Sequence, residues 1–154
     1  MKRTFAATAL ALTISIGAAA WAKGGVLELP GDYRSWPHAK SMVISDKSNG
    51  LYGFHHVYVQ PRALKTYKAG GKHAEGSMLA VTFYEVVTEA GTVTQGPLKM
   101  IALMKKDKAA SETGGWRYGA FGPDGKALEI DVKTGCYDCH TAKKDRDFIF
   151  SEYQ

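Results

Sequence analysis

Two cysteines and a histidine near the end of the chain restrict its possible folds more than any other feature. The sequence contains only two cysteines, and both lie in the segment Cys136-Tyr137-Asp138-Cys139-His140. An isolated C-x-x-C pair is compatible with a disulfide, a thioredoxin-like redox site or half of a zinc site. A zinc site would need a second cluster of cysteines or histidines, and a thioredoxin-like motif would lie early in a βαβ unit. The histidine directly after the second cysteine completes C-x-x-C-H, the attachment signature of c-type haem.

This motif predicts one covalently bound haem c. The thiols of Cys136 and Cys139 would each add across one haem vinyl group, because two intervening residues let one turn of chain reach both groups. His140 would then project its imidazole towards the iron as an axial ligand. These three residues are the candidate haem-binding residues, with His140 as the metal ligand.

The first residues have the pattern of an export signal. Lys2 and Arg3 precede an apolar stretch from Phe5 to about Gly17, which is too short to span a bilayer comfortably. The small residues of Ala20-Trp21-Ala22 then suit signal peptidase. We expect residues 1–22 to be a cleaved signal peptide and residues 23–154 to form one haem domain in a bacterial periplasm, without a membrane anchor.

The composition is that of a globular protein. The chain is 45% hydrophobic and 23% charged, whereas a disordered chain would be poorer in apolar residues. Its 20 Lys and Arg residues exceed its 15 Asp and Glu residues, but no single basic run concentrates the excess. This distribution argues against nucleic acid as the main partner.

The sequence before the motif indicates strands more than helices. Aromatic and β-branched runs predict strands at residues 53–59, 78–87, 98–104 and 116–121, with a hairpin turn at Glu89-Ala90-Gly91. Pro61 favours the start of a helix that Gly70-Gly71 would end, and short helices are expected at residues 32–39 and at the motif. The predicted fold is mainly β (α+β), an antiparallel sheet with a few short helices and a c-type haem attached near the C-terminus.

A mostly β chain with C-x-x-C-H close to its C-terminus resembles the cytochrome P460 family, and within it the cytochromes c′-β. The resemblance covers nearly the whole predicted mature chain. It depends on the order and spacing of five segments: residues 29–36, residues 57–61, Gly115-Trp116, the haem motif and residues 148–150. It implies a homodimer built through the sheet.

The family includes proteins with two functions, and a covalent bond between a lysine and the haem distinguishes one group from the other. Cytochromes P460 oxidise hydroxylamine and carry a lysine bonded to the haem macrocycle, which the resemblance places on or near the strand after the Pro61 helix. Residues 77–87 contain no lysine, and Lys68 and Lys72 precede them. The resemblance therefore implies a cytochrome c′-β, which binds nitric oxide and other small gases such as carbon monoxide at a five-coordinate iron. We expect a gas-binding haem protein more than an enzyme.

The resemblance also implies an apolar cap over the open side of the haem. Phe54 and Phe83 match the phenylalanines that form this cap in cytochromes c′-β. Such a pocket would give a bound gas no hydrogen bond and no general base, which disfavours hydroxylamine oxidation. From the sequence alone, plain core packing is the better explanation for both residues, and only the resemblance favours the cap.

A six-coordinate electron-transfer cytochrome is the remaining alternative. Strand alternation places Phe54 and His56 on one face and His55 on the other. If Phe54 faces the haem, His56 lies near the pocket edge and is a candidate sixth ligand. A methionine could also supply the ligand, although strand methionines are more often core residues; the candidates are Met78, Met100 and Met104. The charged stretch Lys143-Lys144-Asp145-Arg146 is either a solvated surface or a docking site for an acidic redox partner of unknown identity.

Overall fold

The fold is a single six-stranded antiparallel sheet with the haem motif packed on one side. A computed structural model describes residues 27–154, so the predicted signal peptide at residues 1–22 lies outside the described residues. The strands pair in chain order from the first to the last. They are β1 (His38–Ile44), β2 (Gly53–Val59), β3 (Met78–Glu89), β4 (Thr92–Lys106), β5 (Trp116–Phe121) and β6 (Ala127–Leu128). This architecture confirms the predicted fold class.

The predicted hairpin between the two longest strands is present. Strand β3 ends at Glu89 and β4 begins at Thr92, so Ala90 and Gly91 form a two-residue turn. Both residues have positive φ, 48° and 79°, as a type I′ turn requires. The hairpin therefore has the backbone twist that antiparallel strands need.

The helix after Pro61 also forms as predicted. A 3-10 turn at Pro61–Ala63 leads into helix α1 (Leu64–Ala69), and Gly70 ends it in the left-handed region at φ 66°. Glycine adopts this conformation without the steric cost that a Cβ would add.

The predicted helix at residues 32–39 is wrong for most of its length. Only Tyr33–Ser35 forms a single 3-10 turn, and β1 begins at His38. Trp36 is extended, with ψ 152°, because the following proline disfavours a helical conformation in the residue before it. Strand β1 was not predicted, since its edge position leaves polar side chains on both faces and hides the usual alternation.

The sheet has two covered faces, each with its own core. The N-terminal face is covered by Tyr33 and Trp36, which pack with buried residues such as Ile101. The motif face, which carries Val57 and Leu79, is covered by α1 and the C-terminal segment. Because side chains alternate along a strand, neighbouring residues contribute to different cores.

The C-terminal segment is a run of short helical turns. A π-helical turn (Lys133–Tyr137) continues into α2 (Asp138–His140) and a 3-10 segment (Thr141–Arg146). The chain then reverses through Asp147 and Phe148, whose φ angles of 52° and 66° are left-handed. This reversal brings the chain after the motif back against His140.

Candidate haem site

The two motif cysteines are free thiols at the start of the C-terminal helical segment. Cys136 is half-buried and packs against the core of the motif face, whereas Cys139 is exposed. Burial raises the pKa of the Cys136 thiol, which keeps it protonated at neutral pH. Both thiols are therefore available for the thioether bonds that the motif predicts.

His140 is held by a backbone hydrogen bond and two aromatic contacts. Its Nδ1 lies 2.6 Å from the carbonyl oxygen of Phe148, and its ring centroid lies 5.2 Å from those of Tyr118 and Phe150. A carbonyl only accepts, so Nδ1 carries the proton and Nε2 keeps its lone pair. Burial lowers the pKa of His140, although the Phe148 carbonyl partly offsets this, so the neutral imidazole is favoured. This is the tautomer that binds iron through Nε2.

The motif face offers a line of small apolar side chains beside these residues. Val57 pairs with Val81, Val81 with Ala102, and Ala102 with Ala120, so four strands contribute one side chain each. Tyr118, which contacts His140, lies two residues before Ala120 on the same face. We refer to the line of Val57, Val81, Ala102 and Ala120 as the floor.

The residues present fit a covalently bound haem. Two thiols and one imidazole with a free Nε2 match the chemistry of c-type attachment, and the small floor residues suit a flat apolar ring. Within residues 27–154 no three His, Cys, Asp or Glu side chains gather into a metal site. His140 would bind the iron of the haem through Nε2. Held there, haem would supply an iron that binds diatomic ligands and exchanges one electron.

The structure does not bring the two predicted distal phenylalanines together. Phe83 pairs with His55 on the motif face and is buried, whereas Phe54 pairs with Tyr84 on the N-terminal face. The expectation that both cap one pocket is therefore corrected. Paired residues on adjacent strands share a face, and these two pairs are one residue apart along the strands, so they lie on opposite faces. Phe83 keeps its place as a candidate distal residue.

His55, rather than His56, lies on the motif face. Its ring centroid is 4.3 Å from that of Phe83, and its Nε2 donates to the Leu51 carbonyl oxygen at 2.7 Å. Burial lowers the pKa of His55, so the ring is neutral at neutral pH. His55, Val57 and Val59 are alternate residues of one strand, so the two valines were the sequence signal that could have placed His55 on the buried motif face.

His56 is directed away from the motif. Its Nδ1 lies 2.6 Å from the Ser41 hydroxyl, and its Nε2 lies 2.6 Å from Gln95 Oε1 on the N-terminal face. Both ring nitrogens are thus engaged on the side of the sheet opposite to His140. The hypothesis that His56 is a sixth iron ligand has no support in this arrangement.

A buried charged cluster lies beside the motif, and no sequence pattern indicated it. The Asp147 carboxylate accepts hydrogen bonds from Lys106 Nζ at 2.6 Å, from the His73 backbone N–H at 2.8 Å and from His73 Nδ1 at 3.3 Å. Lys106 also lies 4.7 Å above the ring of Trp116. Burial alone would raise the pKa of Asp147, but these hydrogen bonds outweigh it and lower the pKa to about 2.

We expect the Asp147 carboxylate to stabilise the protein mainly above about pH 4. A carboxyl whose pKa falls from 3.8 to about 2 on folding contributes about 2 kcal/mol above its unfolded pKa and loses it as pH falls towards 2. Urea unfolding of wild type and Asp147→Asn at several pH values between about 5 and 2 would measure this contribution. The stability difference should shrink as pH falls.

The exposed pair of Asp124 and Lys126 provides the control for this measurement. Asp124→Asn removes a carboxylate that also has a lysine partner, at 2.9 Å, but lies in solvent. We expect no comparable pH-dependent change from it, because water screens exposed ion pairs. A difference for Asp147→Asn that stays constant across the same pH range would contradict the role assigned to the charge.

Comparison with known protein families matches residues 30–151 to cytochrome P460. The match extends from the segment before the first strand to the end of the C-terminal segment and includes all the residues of the candidate site. No curated protein matches the chain. None of the helices between residues 27 and 154 has the length and apolar character needed to span a membrane. The chain belongs to the cytochrome P460 family, whose membership indicates a c-type haem protein.

Proposed function

We propose that the protein binds nitric oxide, and other small gases such as carbon monoxide, at a five-coordinate haem iron held by His140. The observation that supports this most is the chemistry of the motif face. The paired positions on strands β2, β3 and β4 are Val59, Leu79 and Met104, then Val57, Val81 and Ala102, then His55, Phe83 and Met100. Of these nine side chains only His55 is titratable, and none is a carboxylate.

His55 is a poor hydrogen-bond donor and a weak base there. Its Nε2–H is committed to the Leu51 carbonyl, and burial lowers its pKa, which makes the ring less basic. Nitric oxide gains its affinity from bonding to iron and needs no hydrogen-bond donor, whereas dioxygen binding gains from one. Hydroxylamine oxidation requires proton removal close to the iron. Among these paired positions on the motif face, the single titratable side chain is a weakly basic histidine whose N–H is already bonded, and this favours nitric oxide.

A hydroxylamine-oxidising cytochrome P460 is the second candidate, and one residue favours it. Lys40 on β1 pairs with Val57 and so lies at the edge of the motif face, in line with the floor. Strand β3, by contrast, contains no lysine along its described length. A covalent bond between Lys40 and the haem would support the enzyme, and peptide mapping after proteolysis would detect it.

The third candidate is an electron carrier in which a protein side chain is the sixth ligand of the iron. Met100 is half-buried on the motif face, whereas Met78 packs in the core of the N-terminal face and Met104 in the core of the motif face. Met100 is thus the methionine best placed to compete with a gas. Such a protein would show a low-spin spectrum and would refuse exogenous ligands.

The optical spectrum of the reduced protein, before and after addition of nitric oxide, tests the proposal. We expect a five-coordinate high-spin ferrous spectrum that converts fully on addition. A red-shifted band before addition would indicate the lysine bond and hydroxylamine chemistry. A sharp low-spin spectrum that ignores nitric oxide would overturn both readings in favour of the electron carrier.

Two phenylalanine variants show which face of the sheet the gas approaches. Phe83→Leu opens space on the motif face, so we expect the association rate of nitric oxide to rise by about tenfold, which corresponds to about 1.4 kcal/mol of barrier. Phe54→Leu is the matched control, because it makes the same change on the neighbouring strand but on the other face. Stopped-flow mixing would measure both rates. Equal rates for the two variants would contradict the assignment of Phe83 to the gas site.

The periplasmic location and the homodimer are part of the same proposal. The location depends on the predicted signal peptide, and it agrees with the export that c-type haem attachment requires. The homodimer depends on the family resemblance. Val43 and Phe54 pair at the edge of the N-terminal face, where Val43 is 45% exposed, and this apolar edge supports an interface with a second copy.

A further inference from the structure

The chain reversal after the haem motif is a strained structure built from two adjacent residues with side chains. Asp147 and Phe148 both have left-handed φ angles, 52° and 66°, which residues other than glycine rarely adopt. Two consecutive residues in this region persist only where their surroundings hold them. The contacts of the two residues show what holds this reversal.

The Asp147 side chain ties the reversal to two distant parts of the fold. Lys106 comes from the end of β4, and His73 comes from the loop between α1 and β3. Both contribute donors to the same carboxylate, whose side chain is 6% exposed, while those of Lys106 and His73 are 12% and 2% exposed. These buried hydrogen bonds are charge-assisted and are therefore stronger than neutral ones.

Phe148 is held by its ring and by its backbone. Its ring fills the space above Gly114, where an added Cβ would lie 2.4 Å from the ring carbon Cζ. Its N–H donates to the Lys143 carbonyl at 2.7 Å. The carbonyl of the same residue is the acceptor for His140 Nδ1 at 2.6 Å. The position of this acceptor is thus set by the anchors on either side of it.

We propose that Asp147 is a positioning residue that, through the backbone of Phe148, holds the hydrogen-bond acceptor of His140. This inference deepens the proposed function, because it assumes that His140 is the axial ligand. The hydrogen bonds described for the Asp147 carboxylate go to His73 and Lys106 and not to His140. It fixes the reversal, the reversal fixes the Phe148 carbonyl, and the carbonyl fixes the tautomer and ring orientation of the imidazole.

The hydrogen bond to Phe148 would affect the strength of the iron–histidine bond and the reduction potential of the iron. A carbonyl that accepts strongly from Nδ1–H makes the imidazole a more basic ligand through Nε2. A more basic ligand strengthens the iron–histidine bond and stabilises the ferric state over the ferrous state. Loosening the reversal should weaken this effect without removing the ligand.

The test compares Asp147→Asn with two control variants in the haem-loaded protein. Asp147→Asn keeps the shape of the side chain but removes the charge that attracts Lys106. We expect its iron–histidine stretching band, measured by resonance Raman of the ferrous state, to move to lower wavenumber and to broaden. We also expect its midpoint reduction potential to become more positive.

The controls separate positioning from simple loss of stability. Asp124→Asn removes an exposed carboxylate that also pairs with a lysine. Ile101→Val removes a methylene from a side chain that is 1% exposed in the core of the N-terminal face, so it destabilises the protein away from the motif. We expect both controls to keep the wild-type band and potential.

Each outcome decides the question. A shift in Asp147→Asn that neither control shows supports the positioning role. An unchanged band and potential in Asp147→Asn, or an equal shift in Ile101→Val, would overturn it. If wild type shows no five-coordinate iron–histidine band, the proposed gas-binding function fails separately. The potential then remains the readout, and an unchanged value in Asp147→Asn would overturn the positioning role.

Discussion

Replacement of both motif cysteines, Cys136→Ala with Cys139→Ala, is expected to abolish covalent haem attachment completely. The chain contains no other cysteine, so no second pair of thiols can replace them. Haem staining of the denatured protein on a gel, together with intact mass, would measure the loss. The double variant should carry no haem mass, whereas wild type should carry one haem per chain.

The single variants and a motif control make this result specific. Cys139→Ala removes the exposed thiol and should leave one thioether bond through Cys136, with a red-shifted reduced spectrum from the unreacted vinyl group. Asp138→Asn changes a residue between the cysteines that we assign no role, and it should keep full attachment. Covalent haem in the double variant would contradict the prediction and would indicate attachment through another side chain, for which Lys40 is the first candidate.

Trp116→Ala is expected to lower the free energy of unfolding by about 3–5 kcal/mol, the usual cost of removing a large buried aromatic residue. Trp116 is 0% exposed and lies in the core of the motif face. Its ring contacts the ring of His73 at 5.5 Å and lies under Lys106, so its removal also leaves the Asp147 cluster without its apolar support. Urea unfolding followed by circular dichroism would measure the change.

Trp116→Phe separates the volume of the ring from its polar atom. The Trp116 Nε1 is buried and has no hydrogen-bond partner in the described part of the chain. Phenylalanine keeps most of the apolar contacts and removes this unpaired donor, whose burial is unfavourable. Phenylalanine is smaller than indole, so a cavity cost remains, but it is smaller than that of alanine. We therefore expect a clearly smaller loss than in Trp116→Ala, and an equal loss would contradict this expectation.

The parts of the fold that were predicted correctly depend on local patterns. Strands β2 to β5 contain runs of aromatic and β-branched residues. Helix α1 lies between a proline that favours a helix start and a glycine that favours a helix end, and both effects extend over only a few residues. The turn at Ala90-Gly91 is equally local, because its backbone conformation depends on the two residues themselves. Strand β1 was missed, since an edge strand with mixed polar residues forms only because β2 is beside it.

The candidate site was predicted in part for a related reason. Alternation places Phe54 and His55 on opposite faces, but it does not say which face the motif covers. The expectation that Phe54 faces the haem therefore also placed His55 on the wrong side. Only the packing of Cys136 and Tyr137 against the core of Val57 and Leu79 answers that question.

The prediction of haem attachment depends on local sequence only. Two thiols and an imidazole at fixed spacing within one helical turn are enough to predict a c-type haem, and family membership agrees with that prediction. The surroundings of the motif, by contrast, depend on contacts between distant parts of the chain. The Phe148 carbonyl reaches His140, and Asp147 meets His73 and Lys106, because three distant segments converge there. Such contacts depend on long-range packing, for which the sequence has no local signal.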